Sequence, residues 1–149
     1  MRVALLFCLL PGILAVTSHA VRAETRSPLE GLWRTVDDHS GAPRALVRIY
    51  RQGEAYFGRV EASLVPGEEG ERCSACTDER KDQPVVGMTI LRNMKADEDG
   101  FGGGDVLDPE SGSVYSCALR LEDEGRRLVV RGYIGLSLFG RSQSWYRTE

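Results

Sequence analysis

Histidine is scarce in this sequence of 149 residues, which contains only His19 and His39. His19 lies in an N-terminal segment that we expect to be removed, so His39 is the one imidazole left for catalysis or metal binding. It stands in a turn rich in Asp and Ser, a setting typical of a solvated histidine. The sequence therefore disfavours a Ser/His/Asp hydrolase and a histidine-ligated zinc site. We predict no catalytic residue, no metal and no cofactor.

An excess of basic residues is also absent. The chain has 19 Lys and Arg against 22 Asp and Glu, which gives a formal net charge of −3 at pH 7. Proteins that bind nucleic acid or anionic membranes usually carry a basic patch or stripe, and none is visible here. We therefore predict no nucleic-acid partner.

Long apolar runs are missing except at the start of the chain. The run from Val3 to Val16 follows Arg2 and is too short for a membrane span, which needs about 20 apolar residues. A basic residue, a short apolar region and a small-x-small end are typical of a secretory signal. We expect a signal peptide over residues 1–23 with cleavage near Ala23, and a single domain over residues 24–149. The predicted location is periplasmic or secreted, with no transmembrane span.

No stretch shows the periodicity of an amphipathic helix, whereas alternation of apolar and polar residues is frequent. The pattern predicts eight strands, over Gly31–Asp37, Arg44–Tyr50, Ala55–Leu64, Val85–Met94, Phe101–Leu107, Ser113–Leu121, Arg127–Ile134 and Arg141–Arg147. Turn formers separate most of them, and one long irregular loop spans residues 66–84. Short consecutive strands favour an all-β, antiparallel, up-and-down barrel, because closure leaves no exposed edge.

Several motifs resemble an exported bacterial family known as domain of unknown function 2147. They are Gly31-Leu32-Trp33-Arg34-Thr35 with Asp37-Asp38, Gly87–Leu91, Gly103–Pro109, Arg131–Arg141 and the final Trp145-x-Arg147. The resemblance covers about residues 30–147. It implies a small lipocalin-like or calycin-like β-barrel in the cell envelope, and it implies no activity.

The two ends of the predicted barrel are also similar to lipocalins. Gly31 and Trp33 match a Gly-x-Trp motif on the first strand, and Arg147 matches an arginine near the last strand that packs across the Trp ring. A guanidinium over an indole face contributes about 0.5–2 kcal/mol, depending on desolvation. We predict that Gly31, Trp33, Trp145 and Arg147 close the barrel.

Three cysteines remain outside the signal segment, namely Cys73, Cys76 and Cys117. In an oxidising compartment we expect one pair to form a disulfide. The sequence leaves the pairing open: Cys73–Cys76 closes a tiny loop, whereas a bond to Cys117 attaches the long loop to a strand. A redox couple and half of a zinc site are alternative interpretations of Cys-x-x-Cys.

Charged residues on the predicted strands offer a further candidate site. Arg34, Arg131 and Arg141 lie on strands that neighbour one another in a closed barrel, and they can pair with Asp105 as buried ion pairs or bind an anionic headgroup. The carboxylate pairs Asp37/Asp38 and Asp105/Asp108 suit acid–base chemistry, but most of these residues flank turns, where Asp bonds its own backbone.

We expect the barrel to bind a small hydrophobic or amphipathic ligand, without being an enzyme. The alternative is an envelope or interaction protein whose barrel is filled by side chains such as Phe57, Met88, Leu119 and Tyr133. A more distant alternative is a hydrolase that uses Asp and Arg at the barrel mouth. The sequence does not specify an oligomeric state.

Overall fold

A computed structural model describes residues 26–136 and 138–149, so the predicted signal peptide lies outside the described residues. The strands are β1 (Gly31–Val36), β2 (Pro43–Gln52), β3 (Ala55–Ser63), β4 (Thr89–Ala96), β5 (Phe101–Asp108), β6 (Ser113–Glu122), β7 (Arg127–Tyr133) and β8 (Gly140–Arg147). Each strand pairs antiparallel with the next, and β8 pairs with β1 to close the barrel. The prediction of an eight-stranded up-and-down barrel is confirmed. No helix in the described ranges is long and apolar enough to cross a bilayer.

The start of β4 differs from the prediction. Residues 85–88 were expected to be strand, but Met88 N–H donates to Val85 O at 3.1 Å and Gly87 has a φ of 92°. This turn delays the strand to Thr89. Further along, the register of β3 on β4 shifts between the pairs Gly58–Leu91 and Tyr56–Met94. Asn93 lies in this interval and has a φ of 57°. The apolar residues before Thr89 are thus part of the long loop.

Cross-strand pairs define the inner face of the barrel, because directly opposed residues share a face. The pairs Trp33–Val47, Thr35–Trp145, Leu128–Trp145, Cys117–Gly132 and Gly58–Leu91 belong to this face, and its large members are buried. Phe57 and Tyr133 lie on the opposite, outer face, where they pair with Tyr50 and Ser116. They do not fill the interior, whereas Leu119 is buried in it.

One end of the barrel is closed around Trp33 and Arg147. Arg147 Cζ lies 4.2 Å from the centroid of the Trp33 ring, and Trp33 Nε1 donates to Leu29 O at 3.0 Å. The guanidinium donates to Gly125 O at 2.8 Å, to Glu30 O at 3.0 Å and to Pro28 O. It thereby holds the segment before β1 across the barrel end.

Gly31 shows why glycine is needed beside this contact. Its φ is 150°, and a Cβ at this position would fall 2.5 Å from Arg147 Nη1. Any side chain here would displace the guanidinium from Trp33. The spacing of Gly-x-Trp therefore reflects the room that Arg147 requires.

The long loop between β3 and β4 is fixed at several points. Cys73 and Cys76 form a disulfide, which leaves Cys117 as a buried free thiol. The loop rests on the β5–β6 turn, because a Cβ on Gly112 would come within 2.1 Å of Ala75 O. The predicted disulfide is present, and its partners are the two neighbouring cysteines.

A buried arginine holds the other half of this loop. Arg80 is 5% exposed, and its Nε donates to both carboxylate oxygens of Asp78 at 3.1 and 3.0 Å while Nη1 donates to Thr89 O at 3.3 Å. The side-chain hydrogen bond from Arg80 lowers the pKa of Asp78 to about 2. The pair joins the loop to the first residue of β4.

We expect Arg147→Met to destabilise the protein by about 2–4 kcal/mol, because it removes the cation–π contact and several charge-assisted hydrogen bonds. Urea denaturation measures the loss. Arg34→Met is the matched control: Arg34 is exposed over the Tyr146 ring at 6.0 Å, so its removal should cost less than about 0.5 kcal/mol. Equal losses in the two variants would contradict the closing role of Arg147.

We expect Asp78→Asn to destabilise the protein by about 1–3 kcal/mol at pH 7, because the buried Arg80 loses its charged partner. The pKa of Asp78 is depressed in the folded state, so its contribution is present above about pH 4 and is lost as the pH falls toward 2. The stability gap between wild type and variant should narrow over that range in denaturation series at successive pH values. Asp82→Asn, at an exposed loop position, should show no such gap, and a gap independent of pH would refute the assignment.

Candidate functional site

A cavity of about 810 Å³ extends from the barrel interior to the loops at the end opposite to Arg147, where it is open. The open end is formed by the β1–β2, β3–β4, β5–β6 and β7–β8 loops, whereas Trp33 and the segment before β1 fill the other end. The cavity therefore has one mouth and a floor that approaches the Trp33–Arg147 contact. We refer to these parts as the mouth and the floor.

Along the strands the wall of the cavity carries apolar side chains. It is built from inward-facing residues of six strands: Ala45, Val47, Val60, Ile90, Val106, Val130 and Trp145. Most are β-branched residues that suit a strand and leave a smooth wall. Two small residues, Gly132 and Ala45, face the cavity where larger ones would fill it. These small residues leave space open in the cavity, whereas larger side chains occupy the interior near the floor.

A few polar groups interrupt this apolar wall. Thr35 Oγ1 accepts a hydrogen bond from Ala45 N–H at 3.1 Å, and Trp145 Nε1 lies 3.5 Å from Gln143 Oε1. Tyr115 also lines the cavity. The long Trp145–Gln143 contact is weak, so both groups remain able to bond a guest molecule. The site can thus surround an apolar body and orient it through a small number of hydrogen bonds.

Charged residues surround the mouth. Six carboxylates (Asp37, Asp38, Glu68, Glu71, Asp108 and Glu110) and three guanidiniums (Arg44, Arg72 and Arg141) line it. Arg141 pairs with Asp38 at 2.5 Å, and Arg44 pairs with Glu110 and with Glu68. These pairs connect the loops around the mouth, and carboxylates remain in excess.

Two of the four carboxylates that the sequence suggested for acid–base chemistry, Asp37 and Asp108, are engaged within their own turns. Asp37 Oδ1 accepts from Ser40 N and Ser40 Oγ, both at 2.8 Å, and the backbone bond from Ser40 is the main cause of the lowered pKa of Asp37. Asp108 accepts from Glu110 N at 3.0 Å and from Ser111 Oγ at 2.8 Å. His39 is exposed in the same turn as Asp37. These contacts give Asp37 and Asp108 a structural role in their turns.

The predicted ion-pair residues do not converge on one site. Arg34 is on the outer face over Tyr146, and Arg131 is on the outer face with Ser142 Oγ at 3.1 Å. Asp105 pairs in register with Arg92 and Ser116, also outside. Among these four residues, Arg141 alone lines the cavity. Their role in ligand binding stays a prediction, and it would involve Arg141 first.

Cys117 is the free cysteine of the described ranges, and it is buried. Burial, with a smaller effect of Asp105, raises the pKa of the Cys117 thiol to about 12, so the thiol stays protonated and unreactive. Within residues 26–136 and 138–149, no group of three His, Cys, Asp or Glu side chains is placed to hold a metal ion.

Sequence reasoning did not identify Thr35, Tyr115 and Gln143 as cavity residues. All three lie at alternating positions of predicted strands, in line with Trp33, Cys117 and Trp145 respectively. Their side of the sheet could have been inferred by counting in steps of two from the buried Trp and Cys residues. The register of all eight strands determines which polar residues on that face reach the cavity and which contact packed neighbours.

Comparison with known proteins agrees with this architecture. No curated protein matches the sequence. The solved structure of protein HP1028 from the human pathogen Helicobacter pylori, which belongs to the lipocalin family, superposes with a TM-score of 0.70 at 14% sequence identity, covering 81% of this chain and 83% of that chain. At this identity the likeness shows the fold alone.

The sequence also matches a family over residues 31–147, from the first residue of β1 to the last of β8. That range includes the closing residues, the cavity wall and the disulfide loop. The chain therefore belongs to the family described as "Uncharacterized protein conserved in bacteria (DUF2147)".

Proposed function

We propose that the protein is a lipocalin-like binder of a small hydrophobic or amphipathic molecule, which it holds in the barrel cavity. The observation that carries the proposal is the cavity of about 810 Å³, with apolar side chains along the strands and charged side chains at the mouth. Sites for small molecules usually measure about 300–1,000 Å³ and combine apolar walls with a few polar groups. The rival interpretation, a barrel filled by side chains, would leave no such space.

The geometry favours a ligand with an apolar body and a polar end. Val47, Val60 and Val130 line the deeper part, where a polar group would lose its hydration without gaining a partner. The charged side chains are at the mouth, in contact with solvent. An amphipathic molecule would place its polar end there, within reach of Arg141 and Gln143.

A non-enzymatic role in an exported protein accords with several features. The disulfide suits an oxidising compartment such as the periplasm. The mouth carboxylates Asp37 and Asp108 bond their own turns, so the proposal assigns them no catalytic step. We therefore propose that the protein acts in the periplasm or outside the cell, after removal of residues 1–23.

The proposal can be tested first by native mass spectrometry of the protein purified from its own host. A retained molecule would add a defined mass, and its extraction would identify the chemical class. A second arm titrates residues 26–149, which contain all eight strands and the closing contacts, with the uncharged fluorophore N-phenylnaphthylamine. Absence of both a retained molecule and saturable binding would overturn the proposal.

We expect Gly132→Phe to weaken fluorophore binding at least tenfold, since the new ring would occupy the cavity. A Cβ at Gly132 meets Tyr115 Cβ at 3.3 Å and Val106 Cγ1 at 3.5 Å, so small adjustments admit it. Ala45→Phe fills the same space from β2 and serves if the first variant does not fold.

Ser116→Phe is the matched control, because it adds the same ring to β6 on the exposed outer face. It should leave the dissociation constant within about twofold. The indole of Trp145 should report on binding through its fluorescence, since it lines the cavity. Unchanged binding in both filled variants would place the fluorophore elsewhere and contradict the cavity as the site.

A further inference from the structure

The β7–β8 loop exposes four large apolar side chains. Ile134 is 72% exposed, Leu136 67%, Leu138 81% and Phe139 75%. We call these four residues the apolar tip. Contiguous exposure of this kind is unusual on a soluble domain and marks a surface that contacts another apolar phase. The cavity does not account for it, because no residue of the tip lines the cavity.

Exposed apolar residues concentrate at the open end of the barrel. Of the seven large apolar residues that are exposed in the described parts of the chain, six are there: the apolar tip, Leu64 at the end of β3 and Val114 at the start of β6. The seventh, Tyr146, is on the outer wall under Arg34. The molecule therefore has one apolar end, and that end carries the mouth.

Three backbone groups of the loop, Phe139 N–H and the carbonyls of Leu136 and Leu138, bond within the protein itself. Phe139 N–H donates to Leu136 O at 3.0 Å, and Arg131 Nη2 donates to Leu138 O at 3.4 Å. These two bonds lower the cost of placing the loop in a medium that offers no hydrogen bonds, since unsatisfied groups are costly there.

The charges around the apolar tip suit a zwitterionic lipid surface. Arg131 and Arg141 lie at the two ends of the loop, at the depth of lipid phosphates if the tip is inserted. The carboxylates of the mouth outnumber its guanidiniums, six to three, and can face lipid ammonium groups. An anionic membrane would repel this excess of carboxylates.

We propose that the apolar tip inserts into the interfacial layer of a zwitterionic lipid bilayer, so that the barrel docks with its mouth toward the membrane. Four side chains give weak and reversible attachment, as one short lipid anchor does. Docking itself does not depend on the proposed function. One consequence of docking rests on the proposed function: an apolar ligand would pass between the bilayer and the cavity without crossing water.

Vesicle flotation tests the docking. Residues 26–149 are mixed with large phosphatidylcholine vesicles, and the bound fraction is measured after centrifugation. The combined variant Leu136→Ser, Leu138→Ser and Phe139→Ser should reduce the partition coefficient at least tenfold. Tyr146→Ser removes an exposed aromatic ring from the outer wall and should leave the coefficient unchanged.

Fluorescence tests insertion directly. Phe139→Trp places an indole on the apolar tip, whereas Trp33 and Trp145 are buried. Its emission should shift to the blue on addition of vesicles and should be quenched by brominated phosphatidylcholine. Circular dichroism of each variant checks that the barrel is intact.

Four results would overturn the inference. They are no flotation of the wild type, equal flotation of the combined variant, absence of quenching, and binding that requires anionic lipid and disappears at high salt. Self-association abolished by the combined variant, without flotation, would assign the tip to a second copy of the chain instead.

Gly132→Phe should leave flotation intact and the combined variant should leave fluorophore binding intact, so failure of docking and failure of the cavity are distinguishable.

Discussion

The guanidinium of Arg147 joins parts of the chain that are far apart in sequence. It lies on the Trp33 ring, bonds carbonyls of Pro28 and Glu30 before β1, and bonds Gly125 between β6 and β7. Burial lowers its pKa, yet an arginine remains charged at any physiological pH. A half-buried cation of this kind needs acceptors around it, and the segment before β1 supplies two of them. Closure of one end of the barrel follows from that requirement.

Because one end of the barrel is closed and packed, the cavity lies toward the other end. The large inner residues Trp33, Leu128 and Met94 are packed near the closed end, so the interior is solid there. Toward the mouth the inner positions hold Ala45 and Gly132, which leave the cavity. An eight-stranded barrel encloses only enough room for side chains or for one small molecule. In this barrel, side chains fill one end and the cavity occupies the other. The cavity is thus a consequence of an uneven distribution of side-chain volume along the strands.

The sequence predicts the strands and the barrel because alternation and turn residues are local signals. It does not predict the inner face of each strand: Arg34, Arg131 and Asp105 alternate correctly, yet all three lie outside. Alternation defines two faces, and only the register with neighbours decides which is enclosed. The sequence places the start of β4 too early for a related reason, since Val85 and Met88 are apolar residues that pack on the core from the long loop before Thr89. The cavity depends on these non-local relations.

The segment from Arg131 to Arg147 connects both ends of this asymmetric barrel. Its last residue completes the closed end, Trp145 and Gln143 line the cavity, and Arg141 reaches the mouth. Beyond the mouth the same segment turns through the apolar tip, whose exposure would be a liability on a surface that met only water. The proposed docking would give these side chains an apolar contact at the mouth, and this one hairpin would then set the orientation of the barrel toward the membrane.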